Sequence, residues 1–243
     1  MKIELNYGKG KLPLNLRDDW RVTIVRKHEM PLLADPAGAV QSALTRGVAS
    51  RSLAEEARGK RSACILICDI TRPVPNGLFL GPMVKQLLDA GIAAKNITVL
   101  VATGLHRPNE GAELAEIVGD DWVMQTVNVA NHYARNDEDH VDLGTTARGT
   151  RVKLDQRFVK ADVRIATGLV EPHFMAGWSG GRKVIAPGVA HKDTITTFHS
   201  HRFMAHPRAV NCVLDGNPLH EEQLAIVKLL GGAFALNTVI DEH

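Results

Sequence analysis

The stretch Ala63-Cys-Ile-Leu-Ile-Cys-Asp-Ile-Thr-Arg-Pro73 decides the fold class, because a short apolar run ends abruptly in polar and turn-forming residues. Such a run is typical of a strand that is buried on both faces of a parallel sheet. We predict that a helix follows it directly, capped by Asn76 and closed by Gly91. A strand followed at once by a helix is the first part of a βαβ unit.

The same alternation continues outward from this unit. Further strands are predicted over residues 97–102, 123–129, 163–166 and 233–240, and a helix from Asn109 to about Gly119. Other helices are predicted to start at Asp35-Pro36, at the capping box Ser52-Leu-Ala-Glu55 and at Asn217-Pro218, the last ending at Gly231-Gly232. The only long loop predicted is a polar one over residues 131–142. The sequence therefore predicts one α/β domain over residues 1–243, with a Rossmann-like parallel sheet and helices on both faces.

The composition narrows the class of function. The 29 Lys and Arg nearly balance the 27 Asp and Glu, and basic residues are not interleaved with aromatic ones, so no nucleic-acid footprint is predicted. No segment approaches the ~18 consecutive apolar residues that cross a bilayer, and the start Met1-Lys-Ile-Glu-Leu-Asn6 lacks the pattern of a secretory signal. Three cysteines, an odd number, predict no disulfide framework. We therefore expect a cytoplasmic protein with small-molecule ligands and no membrane partner.

Three of the predicted strands end in similar chemistry. The turns are Asp69-Ile-Thr-Arg-Pro73, Ala102-Thr-Gly-Leu-His-Arg-Pro108 and Ala166-Thr-Gly-Leu-Val-Glu-Pro-His173. The carboxyl ends of parallel strands lie along one edge of a sheet, so these turns should face one cleft, where each Thr-Gly step can bring backbone N–H groups close to a ligand. Any one turn could equally be an ordinary connection rich in Gly and Pro. His106 and His173 lie directly in these turns, and that placement suits a pair of acid/base groups.

A second cluster, Gly177-Trp-Ser-Gly-Gly-Arg-Lys-Val-Ile-Ala-Pro-Gly188, combines glycines with positive charge. The glycines after Ser179 could form an anion-binding nest of backbone N–H groups, with Arg182 or Lys183 supplying charge to a phosphate. The cluster is not a P-loop, since Arg182 replaces the second glycine of that motif. Lys183 has two further interpretations: a surface lysine, or an amine that bonds covalently to a carbonyl or thioacyl group.

A third cluster, His199-Ser-His-Arg-Phe-Met-Ala-His206, places three histidines close together in the sequence. Imidazole suits zinc, nickel, copper or iron. No Cys pair and no His-Glu-x-x-His helix accompanies them, so a zinc protease has little support. His201 and His206 are predicted to be surface residues, and a metal-dependent hydrolase that uses His199 and His201 stays open as an alternative.

Taken together and in order, five of these pieces resemble the lactate racemase family of nickel-pincer-nucleotide enzymes. The pieces are Asp69-Ile-Thr-Arg72, Thr103-Gly-Leu-His106-Arg-Pro108, Glu171-Pro-His173, Ser179-Gly-Gly-Arg-Lys183 with Pro187-Gly188, and His199. The resemblance extends over about the whole chain. Its strongest motifs lie between Asp69 and His199.

The resemblance implies a role for each matched residue. Lys183 would hold the pyridinium-derived nickel-pincer nucleotide covalently through a thioamide, and His199 would be the protein ligand to nickel. His106 and His173 would be the acid/base pair. Further contacts, to the ribose or phosphate of the cofactor or to the substrate carboxylate, are expected from Asp69, Thr71, Arg72, Ser179, Gly180 and Gly181.

The implied activity is racemisation or epimerisation of a small 2-hydroxy acid such as lactate. The C–H bond beside the hydroxyl group of such an acid is barely acidic, so removal of its hydrogen as hydride is easier than removal as a proton. One histidine would take the hydroxyl proton of each enantiomer. The enzymes that synthesise the cofactor would be partners. Family members continue into a second α/β domain, whereas this chain ends at Val239-Ile-Asp-Glu-His243. We therefore expect the N-terminal, cofactor-binding half of such an enzyme, with weak or no turnover alone; a non-catalytic cofactor-binding module is the other alternative.

Overall fold

The computed structural model describes residues 1–8, 10–26, 28 and 30–241, which fall into two compact units, 1–32 and 33–241. The first unit contains an antiparallel hairpin of β1 (Lys2–Tyr7) and β2 (Gly10–Asn15). Leu5 faces Leu12 across the ladder, and alternate apolar residues share that face of the hairpin. Neither strand is among the elements predicted from the sequence.

The second unit alternates helices with strands over most of its length. Within the described residues, its helices are α1 (Pro36–Thr45), α2 (Leu53–Ala57), α3 (Asn76–Asp89), α4 (Gly111–Val118), α5 (Asp121–Thr126), α6 (Gln156–Val159), α7 (Arg182–Ile185), α8 (Lys192–Phe198), α9 (His201–Met204) and α10 (Pro218–Leu230). Its strands are β3 (Ala63–Cys68), β4 (Ile97–Ala102), β5 (Asn128–Asn131), β6 (His140–Thr145), β7 (Arg151–Asp155), β8 (Val163–Leu169), β9 (Pro172–His173), β10 (Gly177–Trp178) and β11 (Phe234–Thr238). In the described part of the chain, no helix is both long and apolar enough to cross a membrane.

A parallel sheet organises this second unit. Among the described residues it has five strands, in the order β11-β8-β3-β4-β5, and every neighbouring pair is parallel. The central strand is β3, which is buried along almost its whole length. The predicted parallel α/β sheet is confirmed, and its strands bring their carboxyl ends to one edge.

Apolar layers cover both faces of the sheet. Ile65 and Ile67 of β3 pack into one buried cluster with residues of α1 to α5. Cys64 and Leu66, which alternate with them, pack into a second cluster with residues of α6 to α10. The period of two along a strand thus separates the core into two layers. The predicted helices on both faces of the sheet are confirmed.

Helix starts with a local capping signal are where sequence and structure agree best. Asp35 accepts a hydrogen bond from the Gly38 N–H at the start of α1. Ser52 and Glu55 form the reciprocal capping box of α2. Asn217 caps α10 through two N–H groups. Each of these caps satisfies backbone donors that the helix itself leaves unpaired, which is why such residues are a local signal of a helix start.

Residues 123–129, in contrast, do not form the predicted strand. Residues 121–126 are helix α5, because Asp120 accepts a hydrogen bond from the Val123 N–H and starts a helical turn. The strand β5 begins only at Asn128. The apolar residues of this short segment fit both periodicities, so the cap decides.

Two predicted helix starts are also wrong. Asn76 lies inside α3, and its Nδ2 donates to the Ile117 carbonyl oxygen at 2.6 Å instead of capping the helix. Helix α4 begins at Gly111 rather than at Asn109. Both asparagines are buried and bind a residue from another part of the chain. The predicted polar loop also ends early, because β6 begins at His140 and pairs with β7.

Candidate active site

A cavity of about 370 Å³ opens at the carboxyl edge of the parallel sheet. Its walls are the turns that follow β3, β4 and β8, together with residues of the segment 179–199. The predicted site residues that line it are Asp69, Thr71, Arg72, His106, Ser179, Gly180, Lys183 and His199. Of the predicted set, His173 and Gly181 are not among its lining residues. Residues from well-separated parts of the sequence thus meet at one edge of the sheet, as the parallel topology requires.

The two Thr-Gly-Leu turns hold this edge of the fold together. The hydroxyl groups of Thr103 and Thr167 each donate to a main-chain carbonyl oxygen, at 2.7 and 2.8 Å. The Gly104 N–H donates to the Gly188 carbonyl oxygen at 2.8 Å, so this N–H does not contact a ligand as expected from the sequence. A Cβ atom on Gly168 would lie 3.1 Å from the Gly181 nitrogen. The glycines are therefore needed for close approach between chain segments.

Asp69 lies directly after β3 and is 5% exposed. Its Oδ1 accepts hydrogen bonds from the Thr71 N–H and hydroxyl group, at 3.2 and 2.6 Å. Its Oδ2 lies 2.5 Å from Nδ1 of His106. A carboxylate accepts from a ring N–H, so Nδ1 is the donor, and in a neutral His106 ring the lone pair is on Nε2. The His106 side chain is 62% exposed, which leaves its ring open to the cavity.

A pair of buried asparagines fixes the position of this turn. The Asn109 N–H donates to Oδ1 of Asn131 at 2.9 Å, and Nδ2 of Asn131 donates back to the Asn109 carbonyl oxygen at 2.8 Å. Oδ1 of Asn109 accepts from the Ile70 N–H at 3.3 Å. These bonds connect the turns after β3, β4 and β5. Sequence analysis missed this role, because the position of Asn109 indicated a helix start and nothing local identified its partner.

Lys183 lies in α7, where burial and positive neighbours act on its amine. Burial, followed by the charges of Arg72 and Arg182, lowers the pKa of Lys183 from 10.5 to about 8. Burial also lowers the pKa of Arg182 to about 10. A lysine amine reacts as a nucleophile only when it is uncharged, and desolvation beside cations is one way to obtain that form near neutral pH.

The segment before Lys183 uses its polar groups within the fold. Ser179 Oγ donates to the Leu169 carbonyl oxygen at 2.6 Å and accepts from the Glu171 N–H at 3.0 Å. The Gly181 N–H donates to Oδ1 of Asn237 at 2.8 Å. Asn237 lies in β11, and no sequence signal indicated that it contacts the glycine pair. This hydrogen bond holds the start of α7 against the sheet.

Arg72 and Glu171 form an ion pair at the cavity, with Nη1 and Oε1 3.0 Å apart. Both side chains are about 40% exposed. Such a solvated pair contributes little to stability. The Arg72 guanidinium can therefore exchange Glu171 for a carboxylate or phosphate oxygen at small energetic cost.

His199 is prepared as a neutral imidazole. Its Nδ1 donates to the Ile195 carbonyl oxygen at 2.9 Å, which leaves the lone pair on Nε2. Burial lowers the pKa of His199. A neutral ring whose other nitrogen is bound to a carbonyl oxygen is the usual form of a metal-binding histidine. Across the described residues, no group of three or more His, Cys, Asp or Glu side chains is arranged to hold a metal ion.

His173 lies in β9, which pairs with β10, and is 7% exposed. Its Nδ1 accepts hydrogen bonds from the N–H groups of Met175 and Ala176, at 3.4 and 3.1 Å. Burial, followed by the charges of Lys183 and Arg72, lowers the pKa of His173 to about 4. The ring is therefore neutral near pH 7 and carries its hydrogen on Nε2.

Known proteins share both the sequence and the fold of this chain. A family model described as the lactate racemase N-terminal domain matches residues 7–211. The lactate racemase of Thermoanaerobacterium thermosaccharolyticum is 35% identical over 241 residues, which cover 98% of this chain and 56% of that protein. The lactate racemase of Lactiplantibacillus plantarum is 34% identical over 203 residues, which cover 84% of this chain and 47% of that protein.

Solved structures agree with these matches. The lactate racemase apoprotein of T. thermosaccharolyticum superposes with a TM-score of 0.86 at 34% identity, covering 99% of this chain and 56% of that one. A Thermotoga maritima protein, at 22% identity and a TM-score of 0.71 over 88% of this chain and 54% of that one, shows the shared fold. The chain spans about half the length of the curated relatives it matches. The resemblance stated from the sequence motifs is confirmed: the chain belongs to the lactate racemase family and corresponds to its N-terminal domain.

Proposed function

We propose that this chain is the cofactor-binding part of a racemase or epimerase that acts on a small 2-hydroxy acid, with lactate as the first candidate substrate. One observation carries the proposal: Lys183, His199 and His106 line a single cavity, and the surrounding atoms favour a reactive form of each side chain. Family membership supports the same reaction class.

The side chains fit a nickel-pincer nucleotide. The lowered pKa of Lys183 maintains a fraction of free amine near neutral pH, and a thioamide bond to the cofactor requires that amine. His199 offers one imidazole nitrogen as a nickel ligand, and further ligands would come from the cofactor. When bound, this cofactor supplies a reversible acceptor of hydride. The enzymes that synthesise it would then be the partners that load the chain.

The residues of the chain handle the proton and the negative charge of the substrate. Oxidation of a 2-hydroxy acid releases the hydroxyl proton, and Nε2 of His106 has the lone pair that can accept it. Asp69 would stabilise the resulting imidazolium, as a buried carboxylate does for a catalytic histidine. His173 is proposed as the second group that acts on the substrate oxygen. Arg72 would bind the substrate carboxylate or a cofactor phosphate in place of Glu171.

The test is to produce the chain together with the cofactor-synthesis enzymes, and then to measure intact mass and bound metal. We expect nickel, and a mass increase that maps to the peptide containing Lys183. Lys183→Ala should abolish the mass increase, whereas the matched variant Lys192→Ala should keep it. Zinc on a chain with unmodified Lys183 would contradict the proposal and favour the hydrolase that uses His199 and His201.

Turnover is then measured on the loaded protein by following both enantiomers of lactate, and of other 2-hydroxy acids and sugar acids, by chiral chromatography. The isolated chain is expected to show weak or no turnover. In a loaded protein that includes the second half found in the relatives, His106→Ala should reduce turnover strongly. Unchanged turnover in that variant would instead favour a cofactor-binding module without an acid/base pair.

A further inference from the structure

The two histidines of the proposed acid/base pair are held by opposite kinds of hydrogen-bond partner. Nδ1 of His106 faces a carboxylate oxygen of Asp69, which accepts. Nδ1 of His173 faces two backbone N–H groups, those of Met175 and Ala176, which donate. A neutral imidazole has one protonated nitrogen and one lone pair, so these partners require different tautomers of the two rings.

The two carboxylate oxygens of Asp69 have different hydrogen-bond partners. Oδ1 accepts two hydrogen bonds from Thr71, one from its N–H and one from its hydroxyl group. Within the described part of the chain, the hydrogen-bond partner of Oδ2 is the His106 ring. The side chain is almost fully buried. Asp69 is therefore oriented by Thr71, with Oδ2 directed at His106.

We propose that Asp69 is a positioning residue that holds His106 as the Nδ1–H tautomer, with Nε2 as proton acceptor, whereas His173 is held as the Nε2–H tautomer and acts as a hydrogen-bond donor. The backbone donors at His173 are fixed by the β9–β10 pairing. Its tautomer is therefore a property of the hairpin rather than of a replaceable side chain.

The inference rests on the proposed function for the identity of the group on which the rings act. It makes the roles of the two histidines unequal in the resting protein. His106 accepts the hydroxyl proton of the substrate through Nε2. His173 holds its ring hydrogen on Nε2, so this nitrogen is a hydrogen-bond donor rather than a proton acceptor.

The tautomers can be observed directly, without cofactor or turnover. The chain is labelled with 15N-histidine, and long-range 1H–15N correlation spectra are recorded at a pH where both rings are neutral. The signals are assigned through their loss in the variants His106→Gln and His173→Gln. We expect the pattern of the Nδ1–H tautomer for His106 and that of the Nε2–H tautomer for His173. An Nε2–H pattern for His106 in the wild-type chain, or an Nδ1–H pattern for His173, overturns the proposal.

Asp69→Asn tests the role of the carboxylate. The two Thr71 donors select the carbonyl oxygen of the new amide at the Oδ1 position. The amide nitrogen then faces His106 and donates to Nδ1, which must become the acceptor. We therefore expect His106 to switch to the Nε2–H tautomer in Asp69→Asn, while the His173 pattern is unchanged. His106 remaining an Nδ1–H tautomer in a folded Asp69→Asn chain contradicts the proposal.

A matched control removes a different carboxylate at the same cavity. Glu171→Gln changes the charge by the same amount, yet Glu171 binds Arg72 rather than a histidine. This variant should leave both tautomers unchanged, and a switch of His106 in it would overturn the assignment to Asp69. If Asp69→Asn does not fold, the wild-type spectrum still decides. Failure of the proposed function would appear separately, as an unmodified Lys183 and a metal other than nickel in the loading experiment.

Discussion

Lys183 provides the most direct test of the electrostatics of the cavity. With its pKa lowered from 10.5 to about 8, about one in ten Lys183 side chains is uncharged at pH 7, against about one in three thousand at the ordinary value. Because only the uncharged amine is nucleophilic, its reactivity at neutral pH should be raised by roughly the same ratio, on the order of 300-fold. This reactivity is required for a covalent bond to a cofactor and is measurable without one.

The assay is competitive labelling with a trace amount of acetic anhydride across a range of pH values. Digestion and mass spectrometry then give the labelling of each lysine, with exposed Lys60 and Lys85 as references in the same sample. We expect the labelling of Lys183 to reach half its maximum near pH 8. A half-maximum near pH 10.5 would refute the argument from burial.

Arg72→Gln perturbs the same amine. Burial is the largest cause of the lowered pKa, and the charge of Arg72 comes next. Removal of this charge should therefore raise the pKa of Lys183 only part of the way, and should shift the labelling profile to higher pH. Arg58→Gln, at an exposed helix end, is the matched control and should not shift it. A profile that is the same in wild type and Arg72→Gln would exclude Arg72 as a cause.

Two further predictions concern the stability of the fold around the cavity. Burial would raise the pKa of Asp155, but hydrogen bonds from Arg157 and His132 outweigh it and hold the pKa below its ordinary value. Asp155→Asn should lower the free energy of unfolding, measured in urea, by about 3–5 kcal/mol. The wild type should lose stability as the pH falls below the ordinary carboxyl pKa, and the variant should lose less over the same pH range. Equal urea midpoints for the two proteins would contradict this. Gly168→Ala would place a Cβ atom 3.1 Å from a backbone nitrogen, so it should cost about 1–3 kcal/mol and displace the segment before Lys183. Gly10→Ala is the control, because its Cβ atom would lie at 3.9 Å, in ordinary contact, from the Tyr7 carbonyl oxygen. An effect at Gly168 as small as that at Gly10 would show that the segments can separate.

The elements predicted best are those whose signals are local. The strands β3 and β4 follow from apolar runs, and α1, α2 and α10 start at residues that cap their own helix. The prediction for residues 121–126 was wrong because the local signal was ambiguous. There, short apolar segments fit a helix and a strand equally well, and the hydrogen bond from Val123 to Asp120 decides between them. The hairpin of β6 and β7 was missed because its pairing lies outside any single segment.

The residues of the candidate site also divide into those with a local sequence signal and those that depend on contacts between distant segments. His106 lies in the turn after β4, and its position at the cavity was predicted from the parallel strands. Lys183 and His199 were assigned to the site through the resemblance of motifs, and both line the cavity. His173, in the turn after β8, was also expected at the cleft and is not among the lining residues. Asn109 and Asn237 were missed as site-supporting residues, because their partners lie in distant parts of the chain. Their types, two ordinary asparagines, carry no signal until those partners are known.

The sequence by itself determined that the chain forms a parallel α/β sheet, which turns lie at its carboxyl edge, and the family to which it belongs. These properties follow from the periodicity of apolar residues, from caps and turns, and from the order of motifs. Only the tertiary structure decided which nitrogen of each histidine has a free lone pair, and how far the Lys183 amine is from its ordinary pKa. His106 takes its tautomer from a carboxylate 37 residues away. Lys183 takes its pKa from burial and from the charge of Arg72, in the turn after β3. Such properties depend on distances between atoms that folding brings together, and no local pattern encodes them.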